Sequence, residues 1–236
     1  MLILFCYIWR SFSPEYGIKI TRRSLSMTVT LSDYDLPDAF LFMEGTTGIL
    51  VWQPQETVIV LGLSNSIETS LFTQAVAADN LRVTKRPSGG ETVILTPATI
   101  AFTVAKQFQA MIRFREFFSM VNGVVIEGLS GMGVSNLGSS GISDITIGNR
   151  KILGSSMRKA GDKLVYHAVL NLAEDPSLFG RYLRHPGREP DYRAGRSHHE
   201  FVTSVVAEGY TFTAEAIMSM LNQRLGGLMV LRSAVR

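Results

Sequence analysis

The chain has a single cysteine, Cys6, among its 236 residues. One thiol excludes an intramolecular disulfide and a cysteine-built metal cluster, and from Met27 onward it leaves no sulfur nucleophile. Charge of one sign is also scarce. The 23 basic and 20 acidic side chains leave a net charge of +3, and nowhere do five like charges run together. No nucleic-acid partner is expected from so weak and scattered a field. It fits plain solubility as well as a faster encounter with an acidic protein. Long apolar runs are missing too: the stretch from Leu2 to Trp9 is far short of the about 20 residues that a membrane helix needs. No membrane partner is expected either.

With only 8 prolines, no repeat and no Pro-, Gly- or Ser-rich linker, nothing divides the chain into two large units. One domain is expected over residues 27–236, preceded by an N-terminal extension over 1–26. That extension carries Arg10, Lys19, Arg22 and Arg23 after its apolar start. It reads as a signal core without a cleavage site, as an organelle presequence, or as sequence upstream of a start at Met27, which is the favoured reading. A cytoplasmic location follows, with an organelle as the alternative.

What is present is an alternation of strands and helices. The runs Gly48 to Trp52 and Thr57 to Leu61, split by Pro54, read as two strands and a turn. A helix over Ser70 to Asp79 precedes strands at Leu81 to Lys85, Thr92 to Leu95 and Ile100 to Val104. Phe108, Met111, Ile112, Arg115, Phe118 and Val121 sit near helical spacing, and a last helix runs from Thr213 to about Gly226. The class is α+β with a mixed, mostly antiparallel sheet flanked by helices.

The clearest local signal is Asp144 to Ile147, then Gly148-Asn149, then Arg150 to Leu153, a two-residue hairpin. Such a turn pairs Ile147 with Arg150, Thr146 with Lys151, Ile145 with Ile152 and Asp144 with Leu153. Ile145, Ile147 and Ile152 then share the core face, and Asp144 and Lys151 are diagonal neighbours about 7–8 Å apart on the other. A carboxylate and an ammonium so placed can flank an anionic substrate, or form a weak surface ion pair. Beyond them Gly154 and Ser155 allow close backbone approach to a ligand, with the Arg158 guanidinium further on. The loop Arg86-Pro-Ser-Gly-Gly90 lies between strands and has no Walker-type continuation. Arg86, Ser88, Gly89 and Gly90 can offer phosphate oxygens a cation, a hydroxyl and N–H groups, or make an ordinary turn. His198-His199-Glu200 is not expected to bind zinc, because adjacent histidines on an extended chain point apart. His167 and His185 read as surface or hydrogen-bonding residues.

Together these segments resemble the lipoate–protein ligase and octanoyltransferase superfamily. Arg86-Pro-Ser-Gly-Gly90 resembles its Arg-x-Ser-Gly-Gly loop, and Ser143-Asp144-Ile145 its Asn-Asp-Ile. Lys151-Ile-Leu-Gly-Ser-Ser-Met-Arg158 matches its Lys-x-x-Gly-Ser-x-x-Arg pattern at every fixed position. Leu50-Val-Trp52, Val58 to Gly62 and Tyr166-His167 to Leu170 are similar to further family segments in the right order. Departures are also present: the family's His-Asp pair is missing after Gly90, and Ala101-Phe102 replaces Asn-Phe. The stretch Pro190 to Arg193, followed by Arg196, His198 and Phe201, resembles a less typical branch.

The resemblance implies a biotin/lipoate protein ligase-like catalytic domain without the accessory C-terminal domain. It implies attachment of lipoate or octanoate to the acceptor lysine of a lipoyl-domain protein through an acyl-AMP, using ATP and Mg. Lys151 would act catalytically on the acyl carboxylate and the mixed anhydride. Arg86, Ser88, Gly89, Gly90, Gly154, Ser155 and Arg158 would line the substrate site, and Asp144 would serve magnesium or the nucleotide. Implied partners are the lipoyl domains of 2-oxoacid dehydrogenase E2, the glycine cleavage H protein and a separate accessory subunit. Two alternatives stay open: an ATP-independent octanoyl or lipoyl transferase between carrier proteins, and a non-catalytic acyl- or carrier-binding homologue.

Overall fold

A computed structural model describes residues 28–108 and 113–230. The extension over 1–26 with Cys6, and Met111 and Ile112 of the expected helix, lie outside the described residues. In chain order the elements are β1 (Leu31–Ser32), a 3-10 turn (Ala39–Phe42), β2 (Gly48–Trp52), β3 (Val58–Leu61), α1 (Ile67–Ser70), α2 (Thr73–Ala78), β4 (Arg82–Lys85), β5 (Val93–Leu95) and β6 (Thr99–Gln107). Then follow α3 (Phe114–Gly131), β7 (Leu137–Ser140), β8 (Asp144–Ile147), β9 (Arg150–Ala160), β10 (Lys163–Asn171), α4 (Pro176–Tyr182), a 3-10 turn (Asp191–Arg193), α5 (His198–Phe201) and α6 (Ala214–Val230).

Six strands form one antiparallel sheet in the order β2-β6-β10-β9-β8-β7. A smaller mixed sheet runs β1-β4-β3-β5, parallel except where β3 meets β5. The expected α+β class with a mostly antiparallel sheet is what the structure has.

Alternation along β6 separates two kinds of surface. Ile100, Phe102 and Val104 point to one side, where Leu164 and Tyr166 of β10 join Phe117, Val121 and Val125 of α3 and Ile217 and Leu221 of α6 in the main core. Ala101, Thr103 and Ala105 point to the other side, the first two toward the small sheet and Ala105 onto Leu41 of the 3-10 turn. There Leu36, Val58, Val60 and Leu95 pack with Trp52 and Val169. Because Ala and Thr are small, the two sheets meet without filling the space between them.

Three expected boundaries shift, each for a packing reason. The helix expected over Ser70 to Asp79 is two short ones, since Leu71 is fully buried and bridges to Leu183 while the Phe72 N–H donates to Tyr182 O. The helix expected from Phe108 begins at Phe114, because β6 continues to Gln107 and Glu116 caps the Arg113 N–H. The last helix passes Gly226 and Gly227 and reaches Val230. Burial of Leu228 in line with Leu221 and Leu225 outweighs the about 1 kcal/mol that each helical glycine costs.

Candidate functional site

The hairpin carries the site. Its turn pairs Ile147 with Arg150 and Thr146 with Lys151, the expected register. Beyond that the register slips by one: Ile145 pairs with Leu153 and Asp144 with Gly154, where Ile152 and Leu153 were expected. Ile152 is the extra residue of a bulge. The physical reason is that Ile152 and Leu153 are adjacent in sequence and both buried in the main core, each 1% exposed. Strict alternation would expel Leu153, which was expected on the polar face; the bulge admits both.

The bulge also sets the chemistry. Asp144 now stands opposite Gly154, and the Lys151 side chain folds back across that glycine to bring Nζ 2.9 Å from Asp144 Oδ1. A Cβ on residue 154 would lie 2.7 Å from both Cε and Nζ of Lys151, so the contact requires glycine. Asp144 is buried, and its other oxygen, Oδ2, accepts the Tyr192 hydroxyl at 2.7 Å. Ser143 donates to Oδ1 at 3.2 Å, while both the amide and the hydroxyl of Ser155 donate to Ser143 O and fix this corner.

The glycine loop is held from within. Arg86 is buried and gives Nε to Ser88 Oγ, Nη1 to Val60 O and Nη2 to Gly89 O and Glu91 O. Burial pushes its pKa down to about 10. Its donors thus shape the loop, where a phosphate-facing cation was expected. Ser88 is also buried and shares a hydrogen bond with His167 Nε2, and burial together with the Arg86 charge keeps that imidazole well below its usual pKa. Ser156 Oγ donates to Gly89 O at 2.6 Å and ties the loop to β9. Gly90 takes φ +83°, and a Cβ there would press on Arg86 Nη2 at 3.0 Å. Gly89 has open space around it.

Between the sheets lies a cavity of about 780 Å³, within the usual range for small-molecule sites. Val60, Leu95, Trp52, Ala101 and Val169 make its apolar part; Asp144, Lys151, Gly154 and Ser155 make a polar end. Of the expected site residues Arg86 and Gly90 also line it, whereas Ser88 and Gly89 stand behind. Arg158 is seven residues past Lys151 on an extended strand, roughly 23 Å along it. Its charge acts instead on Lys163, whose pKa is lowered by burial first and by Arg158 second.

Several lining groups escaped the sequence reading. Asp38 is 3% exposed and accepts from Tyr34 Oη at 2.7 Å and Thr103 Oγ1 at 2.6 Å, and burial raises its pKa. The strap from Arg184 to Val202, of which the resemblance marked Pro190 to Arg193, Arg196, His198 and Phe201 without giving them a place in the site, closes the polar end. Thr203 N donates to Lys151 O at 2.9 Å and seats the strap's end on the hairpin. Phe201 then places its ring 6.0 Å from Lys151 Nζ, 4.8 Å from the Arg193 guanidinium and 5.2 Å from that of Arg196. The available signal was basic and aromatic residues interleaved on a long aperiodic segment, a pattern that goes with functional loops.

Magnesium at Asp144 does not fit this arrangement. Both carboxylate oxygens have partners, Lys151 and Ser143 on Oδ1 and Tyr192 on Oδ2, and among the described residues no second carboxylate joins Asp144 there. Among the described residues no three His, Cys, Asp or Glu side chains come together as a metal site.

The model of the lipoyl protein ligase A/B catalytic domain matches residues 40–226. A lipoate–protein ligase A of Blochmanniella floridana is 27% identical over 147 residues, 59% of this chain and 41% of that protein. The chain therefore spans about two fifths of that relative's length. In fold it is similar to a lipoate–protein ligase A solved with bound ATP, with a TM-score of 0.69 and 15% identity over 87% of this chain and 85% of that one. It is also similar to a bi-partite lipoate protein ligase of Thermoplasma acidophilum, from a study that included its E2 lipoyl domain, with a TM-score of 0.66 and 16% identity over 76% and 69% of the two chains. Since the family match takes in every strand but β1 and the whole Lys151 corner, the chain belongs to the lipoyl protein ligase A/B catalytic-domain family.

Proposed function

We propose that this protein attaches lipoate or octanoate to the acceptor lysine of a lipoyl-domain protein through an acyl-AMP. The observation that carries the reading is the Lys151 ammonium, held over Gly154 by Asp144 at the polar end of an apolar cavity. An aliphatic acid has the same division, a chain that gains about 25 cal/mol per Å2 on leaving water and a carboxylate that needs a cation.

In the first step a carboxylate oxygen of the acid attacks the α-phosphorus of ATP, and pyrophosphate leaves. Lys151 neutralises the carboxylate on binding and then the charge that gathers on the bridging oxygen. The chain lies against Trp52, Ala101 and Val169, so the reacting oxygen is fixed without further loss of freedom. In the second step the acceptor amine attacks the acyl carbon, an amide forms, and AMP leaves carrying the carboxylate oxygen. Asp144, relieved of Lys151 as that ammonium turns to the substrate, keeps the Tyr192 and Ser143 hydrogen bonds. Magnesium enters on this reading with the nucleotide's phosphates. The absence of cysteine after Met27 favours the adenylate route over a thioester one.

E2 and H-protein lipoyl domains are the proposed acceptors and a separate accessory subunit a further proposed partner, with the described residues acting as one catalytic domain in the cytoplasm. Among the described residues no helix is long and apolar enough to cross a membrane. Mass spectrometry of a lipoyl domain incubated with the protein, ATP, magnesium and octanoate or lipoate tests the reading, with and without candidate accessory subunits. A mass gain of one acyl group with nucleotide present supports it. Transfer from an acyl carrier without nucleotide overturns it in favour of the transferase, and acyl binding without any transfer in favour of the non-catalytic homologue.

A further inference from the structure

Arg193 is a charged side chain that the local structure leaves incompletely matched. It is 4% exposed and lines the cavity. Its Nε donates to Arg196 O at 2.9 Å and stands 3.4 Å from Glu189 Oε2. Its Nη2 is buried and has no hydrogen-bond partner among the described residues. Glu189, the carboxylate nearest to it, is shared with His185 Nε2 at 2.9 Å and Gly195 N at 2.8 Å. A buried guanidinium N–H without an acceptor is costly, and such groups in native proteins call for an explanation.

The surroundings say what kind of acceptor is missing. Arg193 and Lys151 stand against one ring, that of Phe201, at 4.8 and 6.0 Å. A single carboxylate at the polar end satisfies the lysine alone. A second anion joined to the same acyl group matches the second cation, and the planar fork of arginine suits phosphate oxygens better than an ammonium does. We infer that Arg193 is an anion-binding residue of this site, receiving the phosphate carried by the activated acyl donor while Lys151 holds the acyl oxygen. This rests on the acyl-transfer reading above and adds the residue that would separate an activated donor from the free acid. Two donors carry both an acyl group and a phosphate: an acyl adenylate, in which the two are joined directly, and an acyl group on a phosphopantetheine arm, in which the arm's length separates them. The closeness of Arg193 and Lys151 about the Phe201 ring fits the first.

The test measures binding by calorimetry in three arms: octanoate, an adenosine phosphonate ester in which CH2 replaces the bridging oxygen of octanoyl adenylate, and an octanoyl-amide phosphopantetheine. Loss of a charge-assisted hydrogen bond predicts that Arg193→Met weakens the phosphonate by about 10–100-fold and leaves octanoate within about threefold. Arg193→Lys recovers only part, because it restores charge without the fork. Without ligand, Arg193→Met shifts the melting point by less than about 5 °C, since relief of the unmatched Nη2 offsets the lost contacts to Arg196 O, Glu189 and the Phe201 ring. If the selective loss falls on the phosphopantetheine arm instead, the phosphate subsite stands and the nucleotide reading falls. Equal loss of octanoate and phosphonate, no loss of either, or a melting point lowered by more than about 5 °C overturns the assignment of Arg193 while leaving the acyl site in place. A wild-type protein that binds neither phosphate-bearing ligand overturns both readings.

Discussion

On β10, Leu164, Tyr166, Ala168 and Leu170 point into the main core beneath α3 and α6, while the intervening Val165 packs on Leu41 of the 3-10 turn and His167 and Val169 point toward the small sheet. The first face is mostly large and apolar, with Ala168 small and the Tyr166 hydroxyl satisfied by Asn122, and it holds the molecule together. The second mixes small, polar and apolar residues: Ala101, Thr103, Gly154, Ser156 and His167 lie near Trp52 and Val169. Such a face packs poorly by itself, and the space that it leaves is the cavity. One sheet thus divides stability and chemistry between its sides, at a spacing of one residue.

That division is open to direct attack. On the core side Leu170→Ala, at a fully buried position, is expected to cost about 2–5 kcal/mol by denaturant unfolding, with acyl affinity of the folded fraction unchanged. On the cavity side Lys151→Ala is expected to lower acyl transfer by about 10²–10³-fold. Its stability cost is smaller, about 1–3 kcal/mol, because Asp144 keeps Tyr192 and Ser143 as donors. Wild-type activity in a folded Lys151→Ala protein removes the lysine from the mechanism. Gly154→Ala sharpens the contrast, since its Cβ meets only the flexible end of Lys151. Transfer is expected to fall by about tenfold, worth about 1.4 kcal/mol in the transition state, with little change in melting temperature. A loss of stability without loss of rate contradicts that account.

The smallest effect is one of pH. Burial holds the His167 pKa well below its usual value, so the unfolded chain takes up a proton that the folded one does not. The contribution of a neutral His167 is complete above about pH 6.5 and is lost progressively as pH falls below it. Unfolding curves at pH 7.5 and 5.5 are expected to lie closer together in His167→Gln than in wild type. His198 is shifted in the same direction, chiefly by burial, so some pH dependence remains in the variant.

How far this was legible in the sequence varied with the kind of force involved. The Gly148-Asn149 turn fixes its neighbours locally, and the pairing of Thr146 with Lys151 follows from it. The bulge at Ile152 does not, because it comes from two adjacent side chains both reaching a core built by distant elements. The composition of the Arg86 loop suggested an anion cradle. Only the fold shows that Val60 O, Gly89 O and Glu91 O take up the guanidinium. The strap carried no periodicity at all, so Tyr192, Arg193 and Phe201 could not be placed until the hairpin beneath them was known. The large–small alternation Ile100-Ala101-Phe102-Thr103-Val104-Ala105 is a sequence signal of the same division; it marks β6 as a strand with a core on one side and a cavity on the other.

The central claim is that the polar end around Lys151 joins an acyl carboxylate to a nucleotide before the acceptor amine arrives. Octanoate labelled with 18O in its carboxyl group tests it most directly, by mass analysis of the AMP released during acylation of a lipoyl domain. The account predicts one labelled oxygen in each AMP, because the attacking carboxylate oxygen stays on the α-phosphorus when the amide forms. Acylated product accompanied by unlabelled AMP, or formed with no AMP at all, contradicts it.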